Sequence, residues 1–239
     1  MGQIKKSEGN MFKFVTHTWN PIKGKCYHEC SYCYAKQEGD LVFKPGARDV
    51  NLDDYRNYFV CSNTDLFSER VPTEMIRKIL RRTRAFQNNT YLFHTKNPAR
   101  VIPFVNELPE KCSVGVTIET DIHYPGTMGN CPTPFERASD AGLLKRMGVP
   151  IMVTIEPVMH FRHHEFQELI GSIRPFQINI GADSKGNPMV EPRMCDLVML
   201  LRELYLREPE ETVIHLKDNL EKEYPGIREK FQGIQGEQR

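Results

Sequence analysis

Short apolar runs alternate with stretches of helical spacing along nearly all of this 239-residue chain, and that alternation constrains the fold more than any other feature. The runs fall at 12–18, 58–61, 91–94, 112–120, 151–156, 177–183 and 212–216, each closed by Gly, Pro, Asn, Asp, Ser or Thr. Between them, apolar residues at helical spacing predict helices near 71–86, 98–108, 135–147, 164–172 and 191–206. Six or seven strands joined by helices must be largely parallel, because parallel neighbours need crossover connections. The expected class is therefore α/β, a parallel sheet closing partly or wholly into a barrel, in one domain. The expected boundaries are a flexible N-terminus at 1–10, the barrel at 11–220 and a polar C-terminal tail at 221–239.

The first predicted strand leads through Trp19-Asn20-Pro21 and Gly24 into Cys26-Tyr27-His28-Glu29-Cys30-Ser31-Tyr32-Cys33. In barrels of this kind the working residues sit where the strands end, and the cysteine loop falls there. Thiolates are soft ligands that suit iron-sulfur clusters, zinc or copper(I), and three on one loop can reach a common centre without long-range folding. A structural zinc site wants four protein ligands. No second CxxC pair exists, although His28 or one of the solitary Cys61, Cys112, Cys131 and Cys195 can complete a tetrahedron. Three thiolates alone suit a four-iron cluster with one iron left open. The solitary cysteines read as small buried hydrophobes, and no second cysteine group follows Cys131 to hold an auxiliary cluster.

The CxxxCxxC spacing, with Tyr32 just before the third cysteine, resembles the radical S-adenosylmethionine (SAM) superfamily. The resemblance implies a partial (β/α)6, TIM-like barrel and a [4Fe-4S] cluster bound by Cys26, Cys30 and Cys33. It implies that SAM chelates the fourth iron and is cleaved to a 5'-deoxyadenosyl radical that abstracts hydrogen from a substrate. Thr18-Trp19-Asn20-Pro21, Cys33-Tyr34-Ala35 and Asp65-Leu66-Phe67 further resemble a small uncharacterised family common in phages and microbes, distantly similar to spore photoproduct lyase. That family carries no agreed substrate.

The resemblance also assigns candidate roles at the strand ends. Tyr32 packs over the cluster. Ser62, Asn63 and Asp65 occupy the place where the superfamily binds the SAM amino group, though without its Gly-Gly-Glu sequence, and an Asx-turn explains Ser62 and Asp65 equally well. Thr117 and Glu119 meet the SAM ribose and carboxylate, Glu156 contacts SAM or substrate, and Gly181 lets the backbone approach the adenine. His94, Thr95 and Lys96 follow the third strand and face the SAM carboxylate, the substrate or only the rim. Trp19 offers the cluster a dry cover.

Lys and Arg total 32 against 31 Asp and Glu, a net charge of +1, which argues against binding nucleic acid by long-range electrostatics. The basic run Arg77–Arg84 reads as the solvated face of a helix. No stretch is long and apolar enough to cross a bilayer, and residues 1–10 lack a signal-peptide core. The expected setting is cytoplasmic, where free thiols persist. Expected partners are SAM, an electron donor such as a flavodoxin or ferredoxin, and an unidentified substrate. Two other readings stay open: a zinc-binding structural or nucleic-acid-binding module, and a SAM-dependent enzyme of nucleic-acid modification or repair.

Overall fold

The computed structural model describes residues 4–7, 12–47 and 50–236. Its strands are β1 (Ile4–Lys6), β2 (His17–Trp19), β3 (Ile22–Lys23), β4 (Val42–Phe43), β5 (Asn57–Val60), β6 (Thr90–Thr95), β7 (Cys112–Thr117), β8 (Ile151–Ile155), β9 (Gln177–Ile180) and β10 (Val213–Leu216). Helices α1 (Thr73–Arg84), α2 (Pro125–Met128), α3 (Pro134–Arg146), α4 (His163–Gly171), α5 (Met194–Arg207), α6 (Asp218–Glu223) and α7 (Ile227–Gly236) are joined by a 3₁₀ helix at Pro98–Glu107.

The main sheet runs β1-β2-β5-β6-β7-β8-β9-β10, with β1 antiparallel to β2 and every other pairing parallel. It does not close, since β1 and β10 are its edges. The result is the expected α/β partial barrel, with the small hairpin β3–β4 inserted after β2.

Alternation along the strands sorts side chains between two cores. Tyr58, Val60, Tyr91, Phe93, Val114 and Val116 face the helices, within the large cluster that also holds Ile76, Leu80, Phe166 and Leu201. Phe59, Leu92 and Met152 face the barrel interior, where Phe12 and Val15 cap them. Helix α3 begins where the sequence says it should. Thr133 and Glu136 form a capping box, and Pro134 follows at the first helical position. The connection at 98–107 is 3₁₀ instead of α, and Pro103 within it has no N–H to donate.

Three boundary expectations need correction. Within 1–10, read as flexible, Ile4–Lys6 pairs in register with His17–Trp19; residues 1–3 and 8–10 lie outside the described residues. The polar tail at 221–239 contains α7, whose Ile227, Phe231 and Ile234 are buried in the main core; residues 237–239 lie outside the described residues. The run 12–18 is a strand only from His17, because Phe12 has turned in to plug the barrel. No helix among the described residues is long and apolar enough to cross a membrane.

Candidate functional site

At the C-terminal ends of the strands a cavity of about 560 Å³ opens, within the range usual for small-molecule sites. Cys26, Cys30 and Cys33 all line it, together with Tyr32, Ser62, Asn63, Asp65, Lys96, Thr117, Glu156 and Lys217. The cysteine loop is shaped by two unusual backbone positions. Gly24 sits at φ +120°, where a Cβ would fall 2.2 Å from Asp40 O, and Glu29 takes a left-handed φ of 54° between His28 and Cys30.

His28 and Asp65 latch the loop to the sheet. His28 Nε2 donates to Asp65 Oδ2 at 2.8 Å, and the same oxygen accepts from Lys96 N at 2.8 Å and Thr95 Oγ1 at 3.0 Å. Phe67 N donates to the other oxygen at 2.9 Å. Burial favours the protonated carboxyl, yet these bonds, led by that from His28, hold its pKa below the ordinary 3.8. Asp65, which also lines the cavity, thus accepts from four protein donors and serves as a latch for the cysteine loop. His28 Nδ1 is buried without a partner, and the ring engages no cysteine in a hydrogen bond.

Asn20, from the Trp-Asn-Pro segment, holds the loop after β5. Its Nδ2 donates to Ser62 Oγ at 3.0 Å and its Oδ1 accepts from Asn63 N at 3.1 Å. Ser62 and Asn63 therefore remain at the cavity wall with the Asn63 side chain exposed. Trp19 is corrected: it is only 1% exposed, packs in the main core and does not reach the cavity.

Glu119 is also corrected. It is fully buried and absent from the cavity lining. Arg137 Nη1 donates to its Oε2 at 2.8 Å, and Lys96 Nζ and the Tyr32 hydroxyl both donate to its Oε1. Burial alone would favour the neutral acid, but Arg137 and Lys96 hold Glu119 far below the ordinary carboxylate range. Burial and the Glu119 charge push the Tyr32 phenol well above 10. Lys96 spans the network and the cavity: its Nζ lies 2.8 Å from the Tyr32 hydroxyl oxygen and 4.7 Å from the centre of the Tyr32 ring.

On the opposite wall, Glu156 accepts from Lys217 Nζ at 2.5 Å and from Asn219 Nδ2 at 2.8 Å. Gly181 is corrected from adenine contact to spacer. It does not line the cavity, its N–H and C=O already bond Ile155 O and Val158 N, and a Cβ there would sit 2.6 Å from Glu156 Oε1. The missing side chain makes room for the glutamate. At the floor, Thr117 Oγ1 lies 3.4 Å from His94 Nδ1, and Thr154 Oγ1 lies 3.0 Å from His94 Nε2. Burial, then the Lys96 charge, lowers the His94 pKa to about 3, so this ring is neutral.

The cysteines differ. Burial and the Asp65 charge push Cys26 up to about 11. Cys30 lies 3.4 Å, sulfur to sulfur, from Cys131, and the hydrogen bond shared by the two thiols favours ionisation of Cys30. Of the four cysteines read as buried hydrophobes, Cys61 and Cys131 are buried, Cys112 is half-buried and Cys195 is exposed. Among the described residues no three His, Cys, Asp or Glu side chains converge on a single metal ion. A tetrahedral zinc requires that convergence, with sulfurs about 3.8 Å apart around a bond length of about 2.3 Å. A cluster bound by one thiolate per iron does not, and three cysteines lining one cavity fit it.

Reading from sequence missed Arg137, Lys217 and Asn219. Lys217 had a signal, since Phe-His-Thr-Lys at 93–96 and Ile-His-Leu-Lys at 214–217 put a lysine after each of two strands. Arg137, inside α3, had none.

The family described as "Protein of unknown function (DUF5131)" matches residues 41–126, just over a third of the chain. No curated protein matches. Among solved structures, spore photoproduct lyase complexed with dinucleoside spore photoproduct superposes with a TM-score of 0.59 at 10% identity, covering 87% of this chain and 78% of that one. Streptococcus suis SuiB bound to S-adenosylmethionine gives 0.63 at 13% identity, covering 87% and 52%. SuiB bound to precursor peptide SuiA gives 0.63 at 14%, covering 88% and 50%. The chain thus spans about half the length of SuiB, and at these identities the likeness is one of fold.

Proposed function

We propose that this chain is a radical SAM enzyme in which Cys26, Cys30 and Cys33 hold a [4Fe-4S] cluster and SAM occupies the adjoining cavity. The observation that carries the reading is that all three cysteines line one small-molecule cavity at the C-terminal rim of a partial barrel. Shared architecture with a structure solved with bound SAM supports it. The cluster, when bound and reduced, supplies the electron that cleaves SAM to a carbon radical able to abstract hydrogen.

The chain's own residues do the rest. The His28–Asp65 latch fixes the cysteine loop against β6. Lys96 offers a cation to the SAM carboxylate, held in place by Glu119 and Tyr32. Ser62 and Asn63 present oxygens to the SAM ammonium, with Thr117 and the Glu156–Lys217 pair left for the ribose or substrate. Neutral His94 with Phe12 and Phe59 closes the floor against water.

Anaerobic reconstitution with ferrous iron and sulfide should give a brown protein with about four irons per chain, as one such cluster requires. Dithionite and SAM should then release 5'-deoxyadenosine. Cys26→Ala, Cys30→Ala and Cys33→Ala should each abolish both. A colourless protein that takes up one zinc per chain and no iron refutes the reading.

A further inference from the structure

Segment 125–131, carrying α2, is fastened to the cysteine loop at several points. Ser31 N donates to Thr127 O at 2.9 Å, Asn130 N to His28 O at 2.7 Å, and Asn130 Nδ2 to Tyr27 O at 2.8 Å. Gly129, at φ +63°, allows the approach, because a Cβ there would stand 2.0 Å from His28 O. These contacts deliver Cys131 to 3.4 Å from Cys30, in a small sulfur-rich core with Tyr32, Met128 and Met159. Cys30 opens onto the cavity and Cys131 lies behind it. The segment has no need of a cysteine to make these bonds, all of which involve other residues.

We infer that Cys30 and Cys131 form a reversible disulfide in the cluster-free protein, so that one sulfur serves alternately as iron ligand and as half of a cross-link. The cross-link stands on this geometry alone; its consequence for cluster loading rests on the function proposed above. The sulfurs must close from 3.4 Å to about 2.05 Å, the length of an S–S bond. The oxidant is a low-molecular-weight disulfide such as oxidised glutathione. The Cys30 thiolate attacks one of its sulfurs, the glutathione S–S bond breaks, one glutathione thiolate leaves, and a mixed disulfide remains on Cys30. Cys131, having lost its proton to solvent, attacks the Cys30 sulfur and expels the second glutathione thiolate. The two cysteines together lose two electrons and two protons, and the glutathione disulfide gains them as two thiols. A cross-linked Cys30 has no thiolate to offer iron, so loading waits on reduction.

The test uses the full-length cluster-free protein, incubated anaerobically with oxidised glutathione and mapped by mass spectrometry. A Cys30–Cys131 cross-linked peptide is expected, with five of the seven thiols still titratable. Cys131→Ser, or Cys131→Ala if circular dichroism shows the serine variant unfolded, should keep glutathione on Cys30 and form no cross-link. Cys195→Ser should cross-link like the wild type. Oxidised wild type should take up at least tenfold less iron than reduced wild type, and dithiothreitol should restore uptake. A stable glutathione adduct on wild-type Cys30, or a cross-link from Cys30 to Cys26 or Cys33, overturns the inference. If reduced wild type takes up no iron while the Cys30–Cys131 cross-link forms, the proposed function fails and the cross-link stands.

Discussion

Replacing Glu119 with Gln keeps the size of the side chain and removes only its charge, which isolates what the buried carboxylate contributes. Arg137 and Lys96 then face each other with no anion between them, Arg137 fully buried and Lys96 largely so. Breaking a buried ion pair on one side costs about 3–5 kcal/mol, because the desolvated partner charge is left uncompensated. With a urea m-value of roughly 3 kcal/mol per M, the unfolding midpoint should fall by about 1–1.7 M. Adding Arg137→Met should recover part of the loss, since one stranded cation goes with it. The folded pKa of Glu119 lies far below the ordinary 4.5, so its contribution is complete above 4.5 and is lost as the pH falls through the folded value. The gap between wild type and Glu119→Gln should accordingly narrow as the pH is lowered below 4.5. A midpoint shift under about 0.3 M at neutral pH, or a gap that widens on acidification, refutes the account of this network.

Other perturbations probe the rest of the site. His94 has a folded pKa of about 3 against 6.5 in the unfolded chain, so its burial destabilises the fold progressively as the pH drops from 6.5 toward 3, by up to about 1.4 kcal/mol per pH unit. His94→Gln should flatten that part of the urea-midpoint profile; an unchanged slope places the proton elsewhere. Asp65→Asn replaces one carboxylate oxygen with an NH2 group, so either Phe67 N or the His28, Thr95 and Lys96 donors lose their acceptor, and it should cost about 1–3 kcal/mol. It should also reduce the iron retained after gel filtration, and full retention would show that the latch does not position the cysteine loop. Gly129→Ala combines a left-handed φ with a 2.0 Å clash on His28 O and should lower stability by about 2 kcal/mol or more. It should also slow the glutathione-driven Cys30–Cys131 cross-link, and wild-type rates would mean that segment 125–131 docks without that glycine's approach.

The sequence by itself determined the class of fold, the strand order along the chain and the place of the cysteines, because these are written in local periodicity and spacing. Short apolar runs marked where β5, β6 and β8 lie, and three thiols within eight residues, Cys26 to Cys33, need no distant partner to share a site. The resemblance carried by that loop extended the reading to SAM. Local pattern could not say how the strand ends divide their work. Glu119 and Asp65 end strands or open loops just as a ligand-binding carboxylate does. Only tertiary packing reveals that Arg137 from α3 and His28 from the cysteine loop have already claimed them. The same holds for Gly181, whose missing Cβ serves Glu156, and for Cys131, which is 101 positions from Cys30 and yet touches it. Burial makes charges choose partners, and those partners come from wherever the chain folds back, which spacing along one segment does not encode.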